Sequence, residues 1–558
     1  MIFNDFSGGI SDSILRGIKG SFATMVGLDI HSTPGILKVN QKMTKNSGYI
    51  VTELVKFTVT ASDGNTYLFS GESGKIWKKT SADVYTLVAT NAKGACIGAL
   101  EYNGYIYYVG AGFVGRQSVA AAASEASWSS HDDDWQTLSK ADAGFAPMAE
   151  MGNVLYIGNG SYIASFDGST YQDAALDLPT QYRVSALFDN NVELIIGTYV
   201  GASSSVKVNY CKIFKWDGSA DSWNGSDVLY EAGVNAFIPA DNQIFIQAGI
   251  YGSIYYYDGD IMIPFKKIPG TFTPTRYGIV YNNAACVYNS LPMFGFSNSQ
   301  DAANSTGNPT NLGIYSLGRN SKNYPIVLNL EYPLSMTTPM SSTEIGSLFS
   351  IGNDLYATWR KKATITMTIA DPCVVTYNSH GLSNGASIIF TTTGALPTGI
   401  TAGTTYYIRT IDTNTFHLYD TAAHAIDTGA TTGRVVTTGT QSGVHTGAMS
   451  GVDKIDYTAK YASAYVETLV VNNGDISKKA VKFLAGYKLM PTNCAVTLSH
   501  SKNYATSYTD LTNAITDTHH VITYKDINVD EVRALQMKLS FTVSSNNSPE
   551  IDYFGFEI

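Results

Sequence analysis

The stretch AEMGNVLYIGNGSYIASFDG, residues 149–168, contains the pattern that decides the fold. A short apolar run reaches a Gly-Asn turn, a second run at 154–157 ends at glycine, and a third run closes in Asp-Gly. Pairs of Asn, Asp and Gly tolerate positive φ and close tight hairpins, and alternating aromatic and β-branched residues suit strands. The stretch therefore predicts a small antiparallel sheet of three or four strands.

The same unit recurs along the chain. Its turns are predicted at 63–65, 102–104, 151–153, 189–191, 241–242, 282–283 and 351–354. Successive turns lie roughly 40 to 50 residues apart, about the length of one four-stranded blade. One such sheet cannot bury both of its faces alone, whereas several packed around a common axis can. We therefore predict an all-β chain built on a β-propeller of six to eight blades, best fitted by seven; stacked β-sandwiches are the alternative.

Changes of composition divide the rest of the chain. Residues 363–450 are rich in Thr, Ala and Gly, and they separate the last repeat unit from a closing run at 453–457. Because loop tips tolerate insertions, we predict that 363–450 form a small β domain inserted into the last blade. We assign residues 1–45 to an extended N-terminal arm, 46–362 plus 451–458 to the propeller, and 459–558 to a C-terminal β-sandwich.

Charge and cysteine usage exclude several classes of protein. The chain has 558 residues and a net charge of −10, which disfavours a surface that grips phosphates but allows an acidic channel through which DNA slides. Its five cysteines are widely spaced, which predicts buried free thiols in strands, made in a reducing cytoplasm. The first residues lack a signal-peptide layout and no apolar run is long enough to span a bilayer, so we expect no membrane span.

Histidine and aspartate clusters are the first candidates for metal chemistry. The run His131 to Asp134 offers oxygen ligands for a divalent cation, but it lacks the spacing of a calcium loop, so we predict a solvated loop. His519 and His520 are adjacent, and neighbouring strand residues point to opposite faces, so they do not share an ion. We predict no metal site and no cofactor.

Three aspartates and two aromatic runs are the remaining candidates. Asp167, Asp217 and Asp258 could be the carboxylates of a propeller glycosidase, but each precedes Gly in a repeated turn, which favours a role in shaping the backbone. The aromatic runs at 105–108 and 255–257 could stack sugars or bases, but they fit the walls between packed blades better. No nucleophile elbow, phosphate loop or zinc-protease motif occurs, so we predict no catalytic residue and no enzymatic activity.

Residues 374–418 resemble a small β module of phage tail proteins that is described as similar to the first catalytic cysteine half-domain of ubiquitin-activating enzymes. The resemblance rests on VVT at 374–376, HGLSNG at 380–385, IIF at 388–390, GALP at 394–397, GITAGTTYYI at 399–408 and NTFHL at 414–418. It implies a decorating module without ubiquitin chemistry, in which Cys373 is not a catalytic thiol.

The arm carries a second resemblance. FSGGIS at 6–11 and DIHSTPGIL at 29–37 are similar to the openings of phage tail propeller proteins. Arm, propeller, module and sandwich together resemble phage tail proteins, and among them the tail nozzle, called tail tubular protein B, or the packaged-DNA stabilisation hub of short-tailed phages.

This resemblance implies a structural virion protein of the tail, synthesised in the cytoplasm of the bacterial host. Such proteins form a ring, usually a hexamer, around the DNA exit channel, and DNA passes through it without sequence-specific binding. The implied partners are tail adaptor or portal-proximal proteins and tail fibres or spikes. Two alternatives remain: a baseplate or receptor-binding protein of a long-tailed phage, and a propeller polysaccharide hydrolase.

Overall fold

A computed structural model describes most of the chain. The residues described are 2–11, 13, 15–17, 19–33, 35–48, 50–123, 128, 131–140, 144–200, 210–240, 243–257, 259, 261–268, 276–300, 313–321, 324–334, 342–378, 380–429, 431–472, 478–511, 515–516 and 522–557. Within this part the elements are strands β1 to β45 and two short helices, α1 (Val119–Ala122) and α2 (Ala422–Ile426).

Five short strands precede the first blade and five four-stranded antiparallel sheets follow them in chain order as blades 1 to 5. The early strands are β1 (Ile2–Phe3), β2 (Thr24–Val26), β3 (Leu28–Asp29), β4 (Leu37–Val39) and β5 (Gln41–Lys45). Blade 1 contains β6 (Val55–Thr60), β7 (Thr66–Ser70), β8 (Lys75–Lys79) and β9 (Tyr85–Thr90). Blade 2 contains β10 (Gly98–Tyr102), β11 (Tyr105–Gly110), β12 (Phe113–Ser118) and β13 (Asp132–Thr137).

Blades 3 to 5 repeat this order. Blade 3 contains β14 (Met148–Met151), β15 (Val154–Asn159), β16 (Tyr162–Phe166) and β17 (Tyr171–Asp177). Blade 4 contains β18 (Tyr182–Asp189), β19 (Leu194–Val200), β20 (Cys211–Trp216) and β21 (Gly225–Leu229). Blade 5 contains β22 (Val234–Ala240), β23 (Gln243–Ala248), β24 (Ser253–Tyr257) and β25 (Met262–Lys267).

Blades 6 and 7 are joined to other parts of the chain. After β26 (Arg276–Ile279), blade 6 contains β27 (Ala285–Tyr288), β28 (Leu291–Gln300), β29 (Gly313–Ser321) and β30 (Tyr324–Pro333). Blade 7 contains β31 (Ser342–Ile351), β32 (Asp354–Met367) and β37 (His445–Lys460). Its outermost strand is β5, which pairs with β37 at Ile455↔Met43. Residues 41–45, which lie before blade 1 in sequence, therefore complete the last blade.

Apolar side chains fill the space between successive blades. Phe69 of blade 1 stacks on Tyr108 of blade 2 with ring centroids 5.5 Å apart, and Tyr156 of blade 3 meets Trp216 of blade 4 at 5.3 Å. The ring closes between blades 7 and 1, because Trp77 shares one buried cluster with residues of blade 7 and Thr358 Oγ1 donates to Val55 O at 2.7 Å. The propeller prediction and the count of seven blades are confirmed.

A charged clamp holds the closing seam. Asp83, in the turn before β9, binds Lys79 Nζ at 2.7 Å, Lys454 Nζ at 2.8 Å and the Tyr356 hydroxyl at 2.9 Å. Burial opposes ionisation of Asp83, but these three donors outweigh it and lower its pKa to about 2. The clamp thus joins blade 1 to two strands of blade 7.

Replacing Asp83 by asparagine is expected to lower the free energy of unfolding by about 1–3 kcal/mol at pH 7, because Lys79, which is 1% exposed, loses this countercharge. Asparagine tolerates the φ of +60° at this position, so the turn itself is kept. Since the folded pKa is depressed, the contribution of Asp83 is present above pH 4 and is lost as pH falls through about 2.

Urea unfolding at pH 7 and pH 3 measures this effect. The exposed pair of Asp134 with Lys93, 2.7 Å apart, supplies the control: Asp134→Asn should leave the unfolding midpoint nearly unchanged. A midpoint for Asp83→Asn equal to that of the control would show that the seam does not depend on the clamp.

Two strands of blade 7 run on into a closed barrel. The extended halves of β32 and β37 pair with each other, as at Ala363↔Gly447. Four further strands close the circle: β33 (Val374–Thr376), β34 (Ser387–Thr392), β35 (Thr405–Thr410) and β36 (Thr415–Tyr419). Pairings β32–β33, β33–β36, β36–β35, β35–β34 and β34–β37 complete six strands around a core that contains Ile388 and Phe416. The run predicted to close the last blade, 453–457, lies in β37.

The last part of the chain forms two facing sheets. Its strands are β38 (Tyr465–Glu467), β39 (Val471–Asn472), β40 (Lys478–Tyr487), β41 (Ala495–Lys502), β42 (Thr509–Asp510), β43 (Ile522–Val532), β44 (Ala534–Thr542) and β45 (Glu550–Glu557). One sheet has the order β3-β4-β45-β40-β43. In the other, β2 pairs with β38, which pairs with β44. Phe554 and Leu539 lie in one shared core, so the predicted sandwich is present.

The arm joins the sandwich to the propeller. Val26 of β2 pairs with Tyr465 of β38 on one side and with Leu330 of blade 6 on the other. Ile10 N donates to Leu328 O at 2.8 Å. The sheet of blade 6 therefore continues through one arm strand into the sandwich.

The predicted turn at 282–283 is present, but it does not join two strands of one blade. Ala284 N donates to Tyr281 O at 2.9 Å, which closes a turn with Asn282 and Asn283 at its centre. This turn precedes β27, whereas the hairpin between β27 and β28 turns at Asn289 and Ser290, which both have positive φ. Both asparagines also have partners in other blades, as described next.

Candidate functional site

A segment at 280–283 spans the centre of the propeller. Asn282 Nδ2 donates to Ser185 O of blade 4 at 2.6 Å, and Val280 N donates to Gln247 Oε1 of blade 5 at 2.9 Å. Asn283 Oδ1 accepts from Thr58 N of blade 1 at 2.8 Å. Since blades 1 and 4 lie on opposite sides of a seven-bladed ring, the segment crosses the axis.

An ion-pair network lies beside this segment. Glu344, on the inner strand of blade 7, accepts from Tyr281 at 2.7 Å and from Arg360 Nε at 2.8 Å. Arg360 also binds Glu72 of blade 1. Burial lowers the pKa of Arg360 to about 10, against the field of the nearby carboxylates. The network ties blades 1 and 7 to the axial segment.

The carboxylates near the axis are paired rather than poised for acid catalysis. Glu53 accepts from Ser70 and Ser73 at 2.6 Å each and binds Lys75 at 2.7 Å. Burial alone would raise its pKa, but these donors outweigh burial and lower it. A glycosidase needs a general acid with a raised pKa, and Glu53 does not have that property.

A cavity of about 450 Å³ separates the arm from blade 6. At its floor lies Glu331, 4% exposed, whose carboxylate accepts from Asn40 at 2.5 Å and Ser316 at 2.7 Å. His31 Nε2 lies 3.2 Å from Glu331 Oε1 and 3.3 Å from Ser316 Oγ. Both contacts use the same imidazole nitrogen, so the three side chains do not form a catalytic triad, in which the two nitrogens bind different partners.

We expect the docking of the arm to depend on pH through His31. Burial opposes protonation of His31, but its hydrogen bond and Coulomb interaction with Glu331 outweigh burial and raise its pKa. Because the folded pKa is raised, this contribution is fully present below pH 6.5 and is lost as pH rises through the folded value. We expect His31→Gln to cost about 1–2 kcal/mol of unfolding free energy at pH 6 and less at pH 8.5.

Thermal unfolding of the two proteins at both pH values checks this expectation. His424→Gln is the control, because His424 pairs with Asp420 at 2.6 Å but is 35% exposed. An equal deficit for His31→Gln at pH 6 and pH 8.5 would exclude the charged contact as its cause.

A second buried charge cluster lies on blade 7. Asp453, fully buried, accepts from Trp359 Nε1 at 2.7 Å. Lys45 and Lys361 lie 5.6 Å and 5.7 Å from the Trp359 ring centroid. Burial lowers the pKa of Lys361 to about 7 and that of Lys45 to about 8, in spite of Asp453. No sequence motif marks this cluster, because Lys45 comes from a strand far away in the chain.

The aspartates that were candidates for metal binding do not converge on one site. Asp132 to Asp134 lie in the outer strand β13 of blade 2 rather than in a loop, so that prediction is wrong. Asp134 pairs with Lys93 at 2.7 Å and Asp132 with Arg116 at 3.7 Å, so the two carboxylates have different partners. His519 and His520 lie outside the described residues. Within the described ranges, no three His, Cys, Asp or Glu side chains converge as a metal site.

The aspartates of the repeated turns shape the backbone, as predicted. Asp167 accepts from Ser169 N and Thr170 N, both at 2.7 Å. Asp217 accepts from Ser219 N at 2.9 Å. Such side-chain bonds to the following amides fix the hairpin between the third and fourth strands of a blade. Asp258 lies outside the described residues.

The aromatic runs form walls between blades, which confirms their predicted role. Tyr107 and Tyr108 are 1% exposed and Tyr257 is fully buried. Tyr255 is half-buried and donates to Glu231 at 3.0 Å. Tyr107, Tyr108 and Tyr257 therefore pack in the core, whereas Tyr105, Tyr255 and Tyr256 are half-buried.

The cysteines are free thiols. Cys96, Cys211, Cys373 and Cys494 are buried and Cys286 is half-buried. Only Cys211 and Cys286 lie in strands, so the predicted strand position is wrong for the other three. Burial raises the pKa of Cys96 to about 12, which makes it a poor nucleophile.

In the part of the chain described, no helix is long and apolar enough to cross a membrane.

Comparisons with known proteins find only distant structural likeness. No family model and no curated protein matches the sequence. Solved structures with some likeness include a streptogramin B lyase, 12% identical with a TM-score of 0.39, covering 56% of this chain and 93% of that chain. An exo-beta-1,3-galactanase from Phanerochaete chrysosporium is 8% identical with a TM-score of 0.28, covering 90% of this chain and 99% of that chain. Likeness at this level carries no argument about function.

Proposed function

We propose that this chain is a structural protein of a bacteriophage tail, which assembles with copies of itself as a ring around the DNA exit channel. The observation that carries the proposal is continuity: arm strand β2 joins the sheet of blade 6 to the sandwich, and two strands of blade 7 build the barrel. Sheets that run from one part into the next favour a firmly joined body, which suits a tail component. The resemblance of residues 374–418 and of the arm to phage tail proteins supports the same role.

The segment that crosses the propeller axis limits where DNA would pass. Because Asn282 and Asn283 bridge blades on opposite sides of the ring, the propeller's own axis is not a conduit. In a tail ring the channel would lie between chains, lined by acidic side chains that the net charge of −10 provides. Tail adaptor proteins would bind one end of the ring, and fibres or spikes its outer face.

Electron microscopy of the full-length protein tests the proposal. We expect rings of uniform subunit number with an open centre, and light scattering should give a mass that is a multiple of 60.1 kDa. In virions, an antibody against the chain should label the tail axis. A protein that stays monomeric at all concentrations, or labelling at the tips of fibres, would overturn the ring assignment.

A further inference from the structure

The cavity between the arm and blade 6 is a built site rather than a packing gap. It holds about 450 Å³, within the range of small-molecule pockets. Its lining combines the buried acid Glu331 with His31, Asn40, Tyr288, Leu291 and Tyr332. Exposed Ser32 and Asn289 lie at its edge, so it communicates with solvent.

Its polar groups retain hydrogen-bonding capacity. Glu331 Oε2 accepts one bond among the described residues, from Asn40 at 2.5 Å, and a carboxylate oxygen has two lone-pair sites. Buried acceptors in this state are satisfied by water or by a hydroxyl donor.

The charges and apolar walls of the cavity indicate which chemical class of ligand fits it. Asp29 and Glu331 disfavour an anion, and a wholly apolar ligand would leave the second lone pair of Glu331 Oε2 without a donor. Lys38, 3.6 Å from Asp29, and His31 balance the acids in part, so no strong cation site results. Leu291 and Tyr332 supply apolar contact area beside these acceptors. A molecule with hydroxyl donors and an apolar ring face matches both.

We propose that this cavity binds one neutral pyranose sugar unit, with its hydroxyls donating to Glu331 and its ring face against the apolar wall. Bound there, the sugar contacts arm and blade 6 together and so stabilises the docking of the arm. This inference goes beyond the structural role and does not depend on ring assembly.

Calorimetry and ligand-observed NMR of the full-length protein test the proposal with D-glucose, D-galactose and N-acetyl-D-glucosamine. At least one should bind with a Kd on the order of 1 mM, the strength expected of a ligand this small. Sorbitol, which has the hydroxyls but no rigid ring face, should bind at least roughly tenfold more weakly.

Two variants locate the site. Leu291→Trp fills the cavity without touching its hydrogen bonds and should abolish binding, whereas Leu489→Trp, at a residue 64% exposed, should leave it unchanged. Glu331→Gln should weaken binding roughly tenfold or more, as expected for loss of a charged acceptor; circular dichroism verifies that each variant is folded. No binding of any pyranose below about 20 mM, or unchanged binding in folded Leu291→Trp, would overturn the proposal, whether or not rings form.

Discussion

Replacing Asp453 by asparagine is expected to lower the free energy of unfolding by about 3–5 kcal/mol at pH 7. Asp453 is fully buried beside Lys361, which is itself 3% exposed. Asparagine keeps the size of the side chain and an oxygen that accepts from Trp359 Nε1. The substitution therefore removes the negative charge and little else, so the cost measures what the carboxylate does for the two lysines.

The expected loss of unfolding free energy depends on pH, and the pKa values of the two lysines decide in which direction. Burial lowers the pKa of Lys361 to about 7 and of Lys45 to about 8, below the 10.5 of an exposed lysine. Between the folded and unfolded values the unfolded chain binds more protons, so this cluster makes stability rise with pH from about 7 towards 10. At pH 9 both lysines are largely neutral when folded, and the loss of Asp453 should cost less than at pH 6.

Urea unfolding at pH 6 and pH 9, followed by tryptophan fluorescence, gives the measurement. Asp132→Asn is the control, because Asp132 is 49% exposed and 3.7 Å from its partner Arg116. Adding Lys361→Met to Asp453→Asn should restore much of the loss, since it removes one buried ammonium group and keeps an apolar stem. A deficit that is equal at both pH values, or no rescue by Lys361→Met, would contradict the charge argument.

The blades could be predicted from sequence because their signals are local. The hairpins at Asn103-Gly104 and Gly152-Asn153 have the positive φ that their residues allow, and the apolar runs beside them became the buried strands of blades 2 and 3. The run at 453–457 resembles the third strands of the other repeat units, which predicts that it closes the last blade. In the structure it lies in β37, which pairs with β32. Each of these features is decided within a few residues of the chain.

The features that join distant segments could not be predicted in this way. His31 meets Glu331 where the arm docks on blade 6, and Lys45 meets Asp453 where β5 pairs with β37. None of these residues carries a motif. The inner strands of blades 1, 4, 5 and 7 each contain a register shift, as between Val55 and Phe57, which depends on how blades converge on the axis. Asparagines at 282–283 form the turn that their composition predicts, but the composition does not reveal that their side chains bind blades 1 and 4.

Replacing Asn283 by alanine is expected to cost roughly 1–3 kcal/mol of unfolding free energy, the penalty for a buried amide left without an acceptor. Asn283 Oδ1 accepts from Thr58 N at 2.8 Å and from Ser347 Oγ at 2.6 Å. After the change the two hydroxyls still bind each other, since Thr58 Oγ1 lies 2.6 Å from Ser347 Oγ. The Thr58 N–H has no such substitute, so the amide accounts for most of the loss.

Two neighbouring variants separate this acceptor from the general packing of the axis. Asn283→Asp keeps the accepting oxygen and should cost less than alanine, while Asn282→Ala removes a donor whose partner, Ser185 O, is a carbonyl with a second lone pair and should also cost less. Hydrogen exchange of the Thr58 amide reports the bond directly, and should be faster in Asn283→Ala than in Asn282→Ala. If both alanine variants destabilise equally and exchange at Thr58 is unchanged, the axial segment is held by packing. A larger cost for Asn283→Ala than for Asn283→Asp would show that one side-chain oxygen fixes blades 1, 6 and 7 around the axis.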